Sequence, residues 1–245
     1  MTHQWKDATV FAYTLAVSGD NSMNAADFML AVQPLLQAQD LQGLVELLRR
    51  RWSPEQITSF LSDPHLDARK VAALCLSLVG GNCCIGALTQ VLKDPDPTVN
   101  EMAEHALWSV WFRSGSTEAN HQMAQGVKAI QSMDYVHAMT HFQHALDESP
   151  DCAEAYNQRA IALYLLERYD ESIDDARHAV ELMPCHFGAW AGIGHCHAHM
   201  GRLAEAVEAY QRALEINPHL HCLREAICEI SKVGGPSQSP CESPK

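Results

Sequence analysis

Three prolines, Pro150, Pro184 and Pro218, stand 34 residues apart, and the residues ahead of each recur in the same order. A fixed period of this length describes one supersecondary unit that cannot bury its apolar face alone and has to stack on its neighbours. Ahead of Pro218 come Trp190, Ile193, Gly194 and His197, then Ala206, Tyr210 and Ala213. Ahead of Pro184 come Tyr156, Arg159, Ala160 and Leu163, then Ser172, Ala176 and Ala179; ahead of Pro150 come Gln122, Gln125, Gly126 and Ala129, then Ala138, Phe142 and Ala145. Bulky residues fall at helical spacing and small ones where two helices must approach, so each unit reads as an antiparallel helix pair closed by a proline that cannot continue the second helix. The hairpin turns are expected at Met133-Asp134, Glu167-Arg168 and Gly201-Arg202.

These residues resemble the tetratricopeptide repeat, whose pattern is a bulky aromatic, Leu-Gly, an aromatic, then Ala, an aromatic, Ala and Pro. The resemblance covers residues 119–220, with Arg159 and Gln125 in place of the usual Leu, His197 in place of an aromatic and Gln122 in place of the opening Trp. After it, residues 221–232 place Leu223, Ile227 and Ile230 on one side and charged residues on the other, as expected of a helix that caps a stack. Residues 233–245, with Pro236, Pro240 and Pro244 among Gly and Ser, read as a disordered tail.

Upstream, Asp63-Pro64 and Asp94-Pro95 lie 31 residues apart, with Ile57, Phe60 and Leu61 matching Leu88, Val91 and Leu92, and Ala72 and Leu76 matching Ala103 and Leu107. The shared order is an apolar helix, an Asp-Pro turn and a longer Ala-rich helix. Residues 54–113 thus resemble two short HEAT-like repeats of the kind also found in phycobilin lyases, where an Arg often follows the turn; Arg69 matches it and Asn100 replaces it in the second copy. Residues 25–53 read as an N-terminal helical cap, one broken helix or two short ones around Pro34 and Asp40, and residues 1–24 show little pattern. The expected fold is all-α: a right-handed α-solenoid of helical hairpins, HEAT-like and then tetratricopeptide-like, with a capping helix.

Charge narrows the partners. The formal net charge is −13, and residues 115–232 hold 8 basic against 17 acidic residues. Such a surface repels phosphate backbones and anionic lipid, so nucleic acid and membrane are poor partners. Nine cysteines without a CxxC suggest reduced thiols and a cytoplasmic protein. The apolar run Ala8–Val17 is short and preceded only by Lys6 and Asp7, so it is read as no signal peptide.

Catalytic patterns are absent: there is no glycine-framed Ser or Cys, no Gly-rich loop leading to Lys and Ser/Thr, and no HExxH. Cys185-His186 with His195-Cys196-His197-Ala198-His199 is the densest set of metal-binding side chains, yet His186 lies nine residues from His195, about 13 Å along a helix. No cofactor and no metal are expected. Arg49-Arg50-Arg51 fits the last turn of a helix, and Trp108 and Trp111 fit an apolar seam between the two arrays.

In the tetratricopeptide resemblance the first helix of each unit presents one stripe to the concave groove. Here that stripe is Met123, Val127 and Ile130, then Asn157, Ile161 and Tyr164, then Ala191, His195 and Ala198, with His199 at its edge. An alternative is that Met123, Val127 and Ile130 pack against a preceding helix. The Lys, Asn and Arg that clamp a peptide carboxylate in co-chaperones of the family have no counterpart at Met123, Val127, Gln158, Gly188 and Gly192. The reading is a non-catalytic scaffold or adaptor that binds a neutral or basic protein segment in an apolar groove. Its alternatives are a pigment-handling protein like the phycobilin lyases and a His/Cys metal-binding protein. Neither the partner nor the oligomeric state is legible.

Overall fold

A computed structural model describes residues 24–233, and every helix in it is joined to the next by a short turn. The run Ala8–Val17, most of the unpatterned N-terminal segment and nearly all of the proline-rich tail lie outside the described residues. The chain divides into two compact units, residues 1–106 and 107–245.

In the first unit, α1 (Ala25–Gln37) and α2 (Leu41–Arg51) form a hairpin. Asn24 caps α1, and Asp40 caps α2 by accepting from the Gly43 N–H at 2.9 Å. The chain breaks at Gln39, not at Pro34, which sits inside α1 and deprives it of one backbone bond. Phe28 stacks on Phe60 at 4.7 Å and meets the Trp52 ring edge-on at 5.2 Å, forming the aromatic centre of this unit. Next come α3 (Pro54–Ser59), opened by a Ser53–Gln56 capping box, a 3₁₀ turn over Phe60–Ser62, and α4 (Leu66–Val79). A second 3₁₀ turn, Asn82–Cys84, leads into α5 (Ile85–Val91). The two Asp-Pro turns are tied together: Arg69 donates from Nε and Nη2 to the Asp94 carboxylate at 2.8 and 3.2 Å, and from Nη1 to the Asp63 carbonyl at 3.0 Å. A fork-to-fork guanidinium–carboxylate bond fixes orientation as well as distance.

Helix α6 (Pro97–Trp111) carries the chain into the second unit. There α7 (Thr117–Gln131) pairs with α8 (Tyr135–Glu148), α9 (Ala153–Leu165) with α10 (Tyr169–Leu182), and α11 (Phe187–His199) with α12 (Leu203–Ile216), and α13 (His221–Val233) packs on α12. Helices α7, α9 and α11 also touch one another and so form the inner layer of a solenoid.

The turns fall where the period places them. Met133, Glu167 and Gly201 all adopt left-handed φ, at 60°, 60° and 73°. In each turn the next residue's N–H bonds back to a carbonyl five residues earlier: Asp134 to Ala129, Arg168 to Leu163, Arg202 to His197. The α1–α2 turn repeats this geometry, with Gln39 at φ 55° and the Asp40 N–H on the Leu35 carbonyl, a likeness the sequence pattern did not reveal.

Within each hairpin, the size of the residue at the helix crossing follows that of its partner. Gly126 faces Phe142 and Gly194 faces Tyr210, a Cβ at either glycine falling 2.4 Å from the ring. The middle hairpin has Ala160 at the glycine position and Ala176 at the aromatic one, both in a single buried cluster. Ser172, also at a position normally held by Ala, satisfies its hydroxyl by donating to the Ala160 carbonyl at 2.8 Å. The departure Arg159 pairs with Asp175 of its own hairpin, both bonds at 2.6 Å.

Candidate functional site

The residues of the proposed stripe lie on α7, α9 and α11, and burial divides them in two. Met123 is 1% exposed and belongs to the core around Ala119, Ala138 and Phe142, with Val127 and Ile130 packed against that core. Asn157 is 3% exposed and donates to Glu154. Ile161, at 37%, opens to solvent, as do His195 and His199, with Tyr164, Ala191 and Ala198 half-buried beside them. The open part of the face therefore lies on α9 and α11, toward their C-terminal ends.

At the opposite ends of these helices the chain fills its own groove. Trp111 stacks on His186 with ring centroids 4.2 Å apart, and Trp108 sits edge-on to His186 and Phe187 at 5.8 and 5.5 Å. Gly188 is required for this fit, because a Cβ there would lie 2.5 Å from the Trp108 ring. The two tryptophans thus pack inside the repeat unit on the start of α11. Beneath them Glu154, 1% exposed, accepts from His186 Nε2 and Gln158 Nε2 at 2.7 Å each and from Asn157 Nδ2 at 3.3 Å. His186 Nδ1 accepts the Ala189 N–H at 3.1 Å, so the ring caps α11 with one nitrogen and donates to the carboxylate with the other. Every oxygen of this buried carboxylate is satisfied, which burial requires. Trp111 Nε1 has no hydrogen-bond partner among the described residues.

The open half is a cluster of phenols and imidazoles. Tyr164 and His199 share a hydrogen bond, OH to Nε2, at 2.7 Å; His199 stacks on Tyr169 at 5.3 Å; and Tyr210 reaches up from the core to His195 Nδ1 at 2.9 Å. Desolvation under these rings, with His199 four residues away, lowers the His195 pKa. Desolvation raises Tyr164, and lifts Tyr210 to about 12, so both phenols stay protonated near neutrality. Cys196 is buried and donates to Ser172 Oγ at 3.2 Å, its thiol pKa raised by desolvation. The His/Cys run is thus taken up by packing and by bonds to Tyr, Ser, Glu and backbone, and no group of three potential metal ligands forms among the described residues. Seven cysteines among the described residues are free thiols. Arg49, Arg50 and Arg51 do lie in the last turn of α2.

Sequence reasoning missed Glu154 and Tyr169 as parts of this face. Gly188, where the preceding repeats have Glu154 and Asn120, was the available signal for a close approach by another side chain.

The tetratricopeptide-repeat family pattern matches residues 134–184 and again 188–220. Over these residues the chain is similar to tetratricopeptide repeats. Small glutamine-rich tetratricopeptide repeat-containing protein 2 of Mycosarcoma maydis is 32% identical over 110 residues, 45% of this chain and 31% of that protein. A TPR repeat-containing protein of Rhizobium etli is 28% identical over 53% of this chain and 64% of its own length. The Hsp70-Hsp90 organizing protein of Triticum aestivum is 27% identical over 50% of this chain and 21% of its own. The chain thus spans from about a fifth to just under two-thirds of the lengths of these relatives. Among solved structures, the first TPR of Spaghetti (RPAP3) bound to an HSP90 peptide aligns with 48% of this chain and 94% of its own, at 24% identity and a TM-score of 0.47. No helix among the described residues is long and apolar enough to cross a membrane.

Proposed function

We propose that the chain is a non-catalytic adaptor that holds a short segment of a protein partner against the open inner face of α9 and α11. The observation that carries this reading is the half-free stripe: Ile161 stands exposed beside Tyr164, His195 and His199, while the rest of the inner layer is already packed. Apolar and aromatic side chains presented on a rigid layer are the usual anchors of such an interface. Among the relatives, one is named for organizing Hsp70 and Hsp90 and others for their tetratricopeptide repeats, which favours a protein or peptide as ligand.

The partner inferred here is neutral or basic. Where co-chaperones of this repeat type hold a peptide carboxylate with Lys, Asn and Arg, this chain has Met123, Val127, Gln158, Gly188 and Gly192, and the nearby buried charge is the carboxylate of Glu154. An acidic C-terminal peptide would meet no cation at those positions.

We further read residues 54–113 as HEAT-like, supported by the Arg69–Asp94 bond that joins two Asp-Pro turns in equivalent positions. The boundaries 25–53 for a cap and 221–232 for a terminal helix belong to the same reading.

The test is capture by the immobilised full chain and by its Ile161→Glu/Tyr164→Glu variant. An apolar anchor supplies about 1.5–3 kcal/mol, and burying an unpaired carboxylate in its place costs more. The variant should keep wild-type helicity and lose the captured protein. Retention of the same protein, or unfolding of the variant, would show that the stripe is not the binding face.

A further inference from the structure

On the outer layer, between the first two hairpins, α8 and α10 part to leave a cleft of about 560 Å³, floored by α9. Its apolar wall is Val136 and Met139 of α8, above Leu163 of α9. Val136 keeps 63% of its surface exposed, and Met133 in the adjoining turn 75%, so apolar surface stands open to solvent beside the cleft.

The polar wall is charged, and its charges are unequally committed. Arg159 is held by the Asp175 carboxylate and also donates to Gln143. Arg168 is held by Glu171 through Nε and Nη2, and its Nη1 lies 3.7 Å from Met139 Sδ on the facing wall. That leaves Asp174, which lines the same cleft and whose carboxylate has no hydrogen-bond or ion-pair partner among the described residues. Two cations face three carboxylates, and the uncommitted one stands across from an apolar wall.

This combination fits a long aliphatic stem that ends in a positive charge. Methylenes of Lys or Arg cover Val136 and Met139 while the head group reaches Asp174. The excess of 17 acidic over 8 basic residues in 115–232 draws such a segment in at long range. The geometry points to a second docking surface, separate from the inner face, for a lysine- or arginine-bearing segment of a protein partner. It does not depend on the inner face being occupied.

The experiment is a methyl NMR titration of the full chain with the blocked tripeptide acetyl-Leu-Lys-Leu-amide, and with acetyl-Leu-Glu-Leu-amide as the charge-reversed probe. The cationic probe should produce saturable shifts at the Val136, Met139 and Leu163 methyls, with Ile161 unmoved, and the anionic probe none. Asp174→Asn, at an exposed position where the fold is not at risk, should weaken binding at least threefold; Val136→Ser should do the same by removing the wall. Shifts scattered over all acidic surfaces, shifts centred on Ile161, equal binding by Asp174→Asn and wild type, or no saturable shift would each overturn the assignment. Because Ile161 reports the inner face independently, failure here and failure of the groove reading give different spectra.

Discussion

Gly192 and Gly194 lie two residues apart on α11, and the same substitution should move stability in opposite directions. At Gly194 a new Cβ would lie 2.4 Å from both Cδ1 and Cε1 of Tyr210 and 3.2 Å from the Ala206 carbonyl oxygen. Carbon atoms pack best at about 3.5–4.0 Å, so the ring would have to retreat by more than an ångström. Tyr210 has little room to do so: it is 2% exposed and its hydroxyl is bonded to His195. Overpacking of this kind costs about 1–3 kcal/mol, and loosening the phenol–imidazole bond roughly another 0.5–1.5. Alanine's better helix propensity returns about 1 kcal/mol, leaving Gly194→Ala destabilised by about 2 kcal/mol. For a chain of this length that lowers Tm by roughly 4–8 °C. At Gly192 nothing lies within 4 Å of the new Cβ, so only the propensity gain remains and Gly192→Ala should be more stable by about 0.5–1 kcal/mol. Urea unfolding followed by circular dichroism reads both. A third variant closes the argument: in a Tyr210→Ala background, which copies the Ala160–Ala176 pairing of the middle hairpin, Gly194→Ala should cease to be destabilising. If Gly194→Ala is as stable as wild type, or if both single variants fall together, the helix crossing is not where the repeat puts it.

Other expectations follow from local features. Glu167 occupies a left-handed φ that Gly201 fills at the matching position, so Glu167→Gly should raise stability by up to about 1 kcal/mol, whereas Gly201→Val should lower it by more than that, both read from urea midpoints. Trp111→Ala removes a fully buried ring and the face that seals Glu154 and His186; it should cost about 3–5 kcal/mol in the same assay. Desolvation lowers the pKa of both His195 and His197 in the folded chain, so below the ordinary value of 6.5 the unfolded chain binds more protons. Stability should therefore be full above that pH and fall as pH drops toward the lowered values, with a shallower fall in His195→Gln. A fragment of residues 107–245 should fold with the helicity of its part of the chain, and one starting at 119 should be less stable because it lacks the tryptophans that cover His186 and Phe187; equal stability of the two would separate those rings from the repeat core.

The repeat unit was legible because its signal is distributed. Helix crossings need small residues, turns need a chain reversal and prolines stop the second helix, so three copies carry the same message and substitutions such as Arg159 or His197 do not hide it. The α1–α2 turn carries no such redundancy: Gln39 and Asp40 adopt the repeat turn without its prolines or its Ala and Gly spacing, and Pro34 misleads as to where the helix ends. The inner face was legible only as a stripe. That His186 would reach Glu154, or that Trp108 would fill the space above Gly188, depends on residues far apart in the chain meeting across helices, and neither spacing nor composition encodes that meeting.

The central claim is that a partner lies against the exposed side of α9 and α11. A photo-reactive benzoylphenylalanine placed at Ile161, compared with the same group at the exposed Glu181 of α10, tests it in the native cell. The account predicts one dominant protein adduct from position 161 and little from position 181, with the adduct mapping to a neutral or basic segment of the partner. No adduct at 161, or the same adduct in equal yield from both positions, would contradict it.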